Sequence, residues 1–309
     1  MDDQAPQISV VIPIFNEVET LHELYRRLTE TLEKLGKSYE ILTVDDGSSD
    51  GSVELLRELR AEDPRLRVLC LSRNFGQSPA LYAGFAHARG QYTVMLDADL
   101  QNYPEDIPKI VAKLEEGYDM VSGWRAQRQD SFFRNIMSRA LNAYIARVTR
   151  VPLRDYGCAL KGFRRDLVEH MSNFSHRCRY LPVDVAWLGG RVAEVEVRHD
   201  ERKAGDSKYS LLKLIRTAFD LLTSITSAPL QFIGVAGWLF ALVGFGMAIR
   251  VGFIRLLYGV QNNLETVVAI FFFLAGVQMV ATGLMCEYVS RLYIEVQRKP
   301  YYVVREEVE

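Results

Sequence analysis

Short apolar runs alternate with helix-spaced leucines through the first 123 residues. Residues 8–12, 41–44, 66–71, 92–96 and 120–122 read as strands. Between the first two, Leu21, Leu24, Tyr25, Leu28, Leu32 and Leu35 recur at three-to-four spacing and predict an amphipathic helix. Strands separated by helices predict an α/β domain with a mostly parallel sheet and right-handed crossovers. In such a sheet the ligand cleft lies beyond the carboxyl ends of the strands. The pattern changes near the C-terminus, where residues 229–249 and 266–286 are each 21 residues without a charge. Each is long enough to cross a hydrocarbon core about 30 Å thick, and the two predict transmembrane helices. Ahead of them, Leu211, Leu212, Leu214, Ile215, Phe219 and Leu222 form a broad apolar face broken by Lys213, Arg216 and Asp220. That mixture suits a helix lying in the membrane interface, or one packed on the globular domain. The expected division is a globular domain over 1–210, a juxtamembrane helix over 211–228, two spans within 229–286 and a tail over 287–309.

Charge adds direction to this division. Lys208, Lys213 and Arg216 precede the first span and Arg291, Arg298, Lys299 and Arg305 follow the second, against Arg250 and Arg255 between them. The positive-inside rule then places both termini in the cytoplasm. The N-terminus has neither a basic region nor an apolar stretch of signal-peptide length. The net charge of −2 over 309 residues gives no reason to expect nucleic acid as a partner. It hides an uneven distribution: residues 1–123 hold 12 basic and 22 acidic side chains, residues 124–216 hold 19 and 10, and the remainder 6 and 7. Three environments are implied, the middle one facing an anionic partner or surface. Cys70, Cys158, Cys178 and Cys286 lack metal-ligand spacing and are expected to be reduced packing residues.

Three acidic clusters follow predicted strands: Asn16-Glu17 after the first, Asp45-Asp46-Gly47-Ser48-Ser49-Asp50 after the second, and Asp97-Ala98-Asp99-Leu100-Gln101 after the fourth. Each alone also reads as helix capping, by Ser49 or Asp50 for the second. All three on one sheet edge point to a polar ligand. Two carboxylates flanking a small residue repel each other unless a cation joins them, and hard oxygen ligands select Mg²⁺ or Mn²⁺. A divalent ion so placed attracts phosphate oxygens.

Val11-Ile12-Pro13-Ile14-Phe15-Asn16-Glu17, Val44-Asp45-Asp46-Gly47-Ser48-Ser49-Asp50, Arg73-Asn74-Phe75-Gly76-Gln77 and Leu96-Asp97-Ala98-Asp99-Leu100-Gln101 together resemble the family 2 glycosyltransferases of the polyprenyl-phosphate branch. Asp155-Tyr156-Gly157-Cys158, Gln129-Asp130-Ser131-Phe132-Phe133-Arg134 and Gly205-Asp206-Ser207-Lys208-Tyr209-Ser210 are similar to members that transfer 4-deoxy-4-formamido-L-arabinose to undecaprenyl phosphate. The resemblance implies a GT-A-type nucleotide-sugar-binding domain at the inner membrane, catalytic domain in the cytoplasm. Pro13, Phe15, Asn16 and Glu17 would line the base and ribose pocket, with Asp45 or Asp46 contacting base or ribose. Asp97, Asp99 and Gln101 would hold Mg²⁺ or Mn²⁺ against the diphosphate of a nucleotide sugar, a UDP-sugar favoured. Arg125, Arg134 with Ser138, Arg202 and Lys208 would bind the phosphate of the polyprenyl acceptor, and Asp97, Asp99 and Arg125 would carry the chemistry. Arg134 and Ser138 at i, i+4 share a helix face. Glucose, another hexose or a hexosamine remains open as the sugar, as does a dolichol-phosphate-mannose-type reaction, and a homo-oligomer is not excluded. A processive polysaccharide synthase would carry a Gln-x-x-Arg-Trp motif that is lacking here. A nucleotidyltransferase would need a glycine-rich basic loop near residues 13–17, and a non-catalytic scaffold would not need Asp97 and Asp99.

Overall fold

The computed structural model describes residues 5–125, 153–172, 188–200, 264–297 and 299–308, with 146–147, 181, 184–185, 249, 253 and 256–257 besides. Two compact units emerge. One joins Met1–Lys208 to Pro300–Glu309, and the other is Tyr209–Lys299.

In the first unit the apolar runs form β1 (Ile8–Ile14), β2 (Tyr39–Asp45), β3 (Leu66–Leu71), β4 (Tyr92–Met95) and β5 (Met120–Arg125). The chain then adds β6 (Lys161–Arg164), β7 (Val192–Val197) and β8 (Val304–Val308). All eight join one sheet in the order β7-β5-β6-β4-β1-β2-β3-β8. The central strands β3, β2, β1 and β4 run parallel, whereas β6 lies antiparallel to β4 and β5, and β8 antiparallel to β3. The central strands are buried along almost their whole length, as parallel strands covered on both faces must be.

Helix α1 (Val18–Leu35) buries the predicted stripe Leu21, Leu24, Leu28 and Leu32. At about 1.5–3 kcal/mol for each leucine withdrawn from water, this stripe rather than helix propensity holds α1 on the sheet. Helix α2 (Ser52–Glu62) follows β2 and α3 (Gln77–His87) follows β3. Helix α3 is buried almost throughout, because it packs flat on β1 and β2. Gly84 permits that approach, since a Cβ there would stand 2.3 Å from Val11 Cγ1. Helix α4 (Ile107–Glu115) precedes β5 and α5 (Arg165–Ser172) follows β6.

The C-terminal residues, read from sequence as a tail, contribute the edge strand β8. Ser72 N–H donates to Val303 O at 2.9 Å where it begins. On the neighbouring strands Arg67 is buried and donates to Glu40 at 2.7 Å and to Glu307 of β8. Glu40 also accepts from the Ser9 hydroxyl at 2.5 Å and the Arg89 N–H at 2.7 Å, so the buried carboxylate is fully engaged.

In the second unit, α6 (Leu264–Val296) is a single helix of 33 residues that contains the uncharged stretch 266–286. Counting only described residues, no helix is long and apolar enough to cross a membrane. The juxtamembrane segment 211–228, and the first expected span except its last residue, lie outside the described residues.

Candidate active site

Loops from β1, β2, β3 and β4 meet at the carboxyl edge of the sheet, and hydrogen bonds between them set their spacing. At the end of β1, Asn16 takes a left-handed φ of 55°, which asparagine tolerates better than most residues. Its N–H donates to Ser48 Oγ at 3.0 Å, and its Oδ1 accepts the Ser49 N–H at 2.9 Å. Asp50 accepts the Val18 N–H at 3.1 Å and the Ser52 hydroxyl at 2.6 Å, so the capping role foreseen for this loop exists, directed at α1 as well as α2. Phe15, between Pro13 and Glu17 in the loop after β1, is an apolar ring left 47% exposed.

Asp45 and Asp46 are both buried but serve different loops. Asp45 accepts from its own turn, the N–H groups of Gly47 at 3.0 Å and Ser48 at 3.2 Å. Asp46 reaches across to the loop after β3, one oxygen accepting the Phe75 N–H and the other the Gly76 N–H, each at 2.7 Å. Burial outweighs those donors and holds the Asp46 carboxyl above its ordinary pKa. Gly47 makes this closeness possible: its φ is +77°, and a Cβ there would lie 2.8 Å from Arg73 C.

Asp97 and Asp99 follow β4, separated by buried Ala98. Gln77, first residue of α3, donates to Asp97 Oδ1 at 2.8 Å. Asp99 accepts the Gln101 N–H at 3.1 Å, and Leu100 between them is forced to a φ of 59°. A bulky residue in that region is strained, and such strain persists where the surroundings impose it, often at functional sites. Burial, then the neighbouring Asp99, pushes the Asp97 pKa up to about 6. Among the described residues no three or more His, Cys, Asp or Glu side chains gather as a metal-binding group. The two carboxylates with the Gln101 side chain still fit a hard cation that completes its shell with phosphate oxygens, because all three offer the hard oxygen donors that such ions select.

That raised pKa carries a stability consequence. Folded Asp97 retains its proton to about pH 6 against an ordinary 3.8, so the stability it contributes is present below pH 4 and is lost as pH rises through 6. Asp97→Asn keeps an acceptor for Gln77 and removes the charge. It should therefore raise stability by about 1–2 kcal/mol at pH 7.5 in metal-free buffer, with no gain at pH 4, as measured by thermal unfolding.

On the other side of Asp97, Arg125 at the end of β5 forms a two-point pair with buried Asp155, Nε to Oδ2 at 2.6 Å and Nη2 to Oδ1 at 3.0 Å. Buried Lys161, opposite Met95 on β6, donates to the carbonyls of Tyr156 and Cys158, and burial lowers its pKa. His199 forms a backbone bridge with Asn102, and its buried Nδ1 has no hydrogen-bond partner among the described residues. Burial and then Arg125 lower its pKa.

The sheet edge thus gathers Pro13, Phe15, Asn16, Glu17, Asp45, Asp46, Asp97, Asp99, Gln101 and Arg125. Arg134, Ser138, Arg202 and Lys208 lie outside the described residues. Gln77, Lys161 and His199 are additions to the sequence reading. Gln77 closes the Arg73–Gln77 motif, and Lys161 is a lone charge in an apolar run, whereas nothing near His199 marks it.

Residues 9–172, from β1 to the end of α5, match the family described as glycosyl transferase family 2. Among solved structures the chain is similar to glucosyl-3-phosphoglycerate synthase from Mycobacterium tuberculosis in complex with Mn²⁺, UDP and phosphoglyceric acid. The TM-score is 0.52 and the identity 19%, over 72% of this chain and 78% of that one. Its complex with Mn²⁺, UDP-glucose and phosphoglyceric acid gives 0.52 and 20%, over 72% and 79%. The complex with Mg²⁺ and UDP gives 0.51 and 18%, over 72% and 79%. At these identities the likeness is one of fold.

Proposed function

The chain belongs to glycosyl transferase family 2 and is a glycosyltransferase, and on that footing we propose that it transfers a sugar from a UDP-sugar to a polyprenyl phosphate at the cytoplasmic face of the inner membrane, with inversion. The observation that carries the reading is the pair Asp97 and Asp99 at the carboxyl end of β4, with Arg125 at the end of β5 two strands away on the same sheet. A donor diphosphate belongs with the first and an acceptor phosphate with the second.

The similar mycobacterial enzyme is described with UDP, Mn²⁺ or Mg²⁺ and a phosphorylated acceptor, which supports each element of this division. On the donor side Phe15 offers a face for a base, and the Asn16 and Asp46 bonds hold the loops around it. Asp97, Asp99 and Gln101 would hold Mg²⁺ or Mn²⁺, which when bound offsets the charge that grows on the departing nucleoside diphosphate. A phosphate monoester is already ionised at neutral pH, so its oxygen attacks the anomeric carbon without a strong general base, and one displacement inverts that carbon. Asp155 orients the Arg125 guanidinium, the planar group suited to a phosphate's oxygens. Arg134, Ser138, Arg202 and Lys208 would add to that grip.

In the sequence alone, the two uncharged stretches 229–249 and 266–286 favour a lipid acceptor over a soluble one. The Asp155-Tyr156-Gly157-Cys158 segment favours 4-deoxy-4-formamido-L-arabinose as the sugar, with glucose or a hexosamine as the other reading.

The test is a panel of UDP- and GDP-sugars, including the formamido sugar, assayed with the purified full chain, Mn²⁺ or Mg²⁺, and undecaprenyl phosphate in detergent. One UDP-sugar should yield a glycolipid sensitive to mild acid. Transfer to phosphoglycerate, with none to the lipid phosphate, would overturn the acceptor assignment.

A further inference from the structure

The pairing of β8 with β3 is uneven. Cys70 stands opposite Glu306 and Leu71 opposite Val304, so Arg305 is an extra residue in the ladder, a β-bulge. Bulges redirect a side chain that strict alternation would send to the other face, and here two successive residues, Arg305 and Glu306, line one cavity of about 470 Å³. The cavity also borders Asp45 and Ser48 of the loop after β2, Arg73 of the loop after β3, and Arg57 of α2. It is therefore continuous with the donor edge of the site.

The charges around this cavity are unequally committed. Glu306 is held by Arg57 at 2.7 Å, and Asp45 accepts the N–H groups of its own turn. Arg73 lies over the Phe75 ring at 4.5 Å, and neither it nor Arg305 has a carboxylate partner among the described residues. Two guanidiniums without anionic partners at a cavity mouth are donors awaiting acceptors. Their distance from the metal carboxylates says which part of a donor they meet. In the order β4-β1-β2-β3, β3 stands three strands from β4, about 14 Å away. A diphosphate held at Asp97 and Asp99 therefore leaves its nucleoside end to reach β2 and β3.

Resting on the donor reading above, we propose that the C-terminal strand completes the nucleobase pocket, with bulge residue Arg305 acting beside Arg73 as a specificity-determining contact to the carbonyl oxygens of uracil. Uracil presents a carbonyl where cytosine presents an amino group, and a guanidinium pairs with the first and not with the second. The last ten residues, more than 200 positions from the rest of the pocket in sequence, thereby help choose the base.

Calorimetric titration of the full chain with UDP and with CDP, both in Mn²⁺, tests the assignment. Wild type should prefer UDP. Arg305→Ala should weaken UDP about tenfold while leaving CDP within about twofold, so that the preference collapses, and Arg305→Lys should recover part of it. Equal losses for both nucleotides would mean that the strand acts only as a brace, and would overturn the proposal. So would unchanged UDP binding in Arg305→Ala, or a wild type without base preference. A wild type that binds neither nucleotide would instead bring down the donor reading itself.

Discussion

Replacing Asp99 with alanine should reduce sugar transfer by about a thousandfold or more while leaving the chain folded and its elution from a sizing column unchanged. The bond that the side chain loses, to the Gln101 N–H, is local to its own turn. Little of the fold depends on it. What it supplies is negative charge next to Asp97, followed by Leu100 strained to φ 59°. Preorganised electrostatic groups of this kind commonly account for a factor of about 10²–10³ each, and removing a charge that, on the proposed reading, would hold a divalent ion should exceed that. Addition of EDTA to wild type should mimic the substitution, and Mn²⁺ or Mg²⁺ should reverse it. Full transfer in EDTA would show that the diphosphate is neutralised by arginine or lysine alone.

The second large effect is on stability. Arg67→Ala should cost about 3–5 kcal/mol, because it takes from the buried Glu40 carboxylate the guanidinium that pairs with it, leaving the Ser9 hydroxyl and Arg89 N–H as donors. Glu307→Ala should cost less, since Glu307 is partly exposed at the sheet edge and Arg67 would keep Glu40. Denaturant unfolding of the full chain in detergent, followed by tryptophan fluorescence, separates the two. A loss below about 1 kcal/mol for Arg67→Ala would mean that the network is solvated and does not fasten β8.

The parts of this molecule that were legible in its sequence share a physical cause. Strand β3 coincides with its predicted limits because Leu66–Leu71 is apolar and flanked by polar turns. The acid pair is legible because it sits immediately beyond such a strand. Strand β8 was not legible: Val304-Arg305-Glu306-Glu307-Val308 has a bulge that breaks the two-residue period, and its two glutamates find their partners on α2 and β3, far away in sequence. The bonds of Asp46 to Phe75 and Gly76, of Gln77 to Asp97 and of Arg125 to Asp155 join residues 20 to 30 positions apart. No local pattern records such partnerships. Asp46, which the motif places among base or ribose contacts, thus has a loop to hold that the motif does not reveal.

The ladder between β3 and β8 also constrains how the chain is threaded. Because residues 304–308 are hydrogen-bonded into the same sheet as residues 8–14, the polypeptide leaves this folded unit and returns to it on one side of any bilayer that the intervening segment enters. The number of crossings between them must then be even. This parity argument is independent of hydropathy and of the distribution of lysine and arginine, and it forbids any arrangement with one span or three.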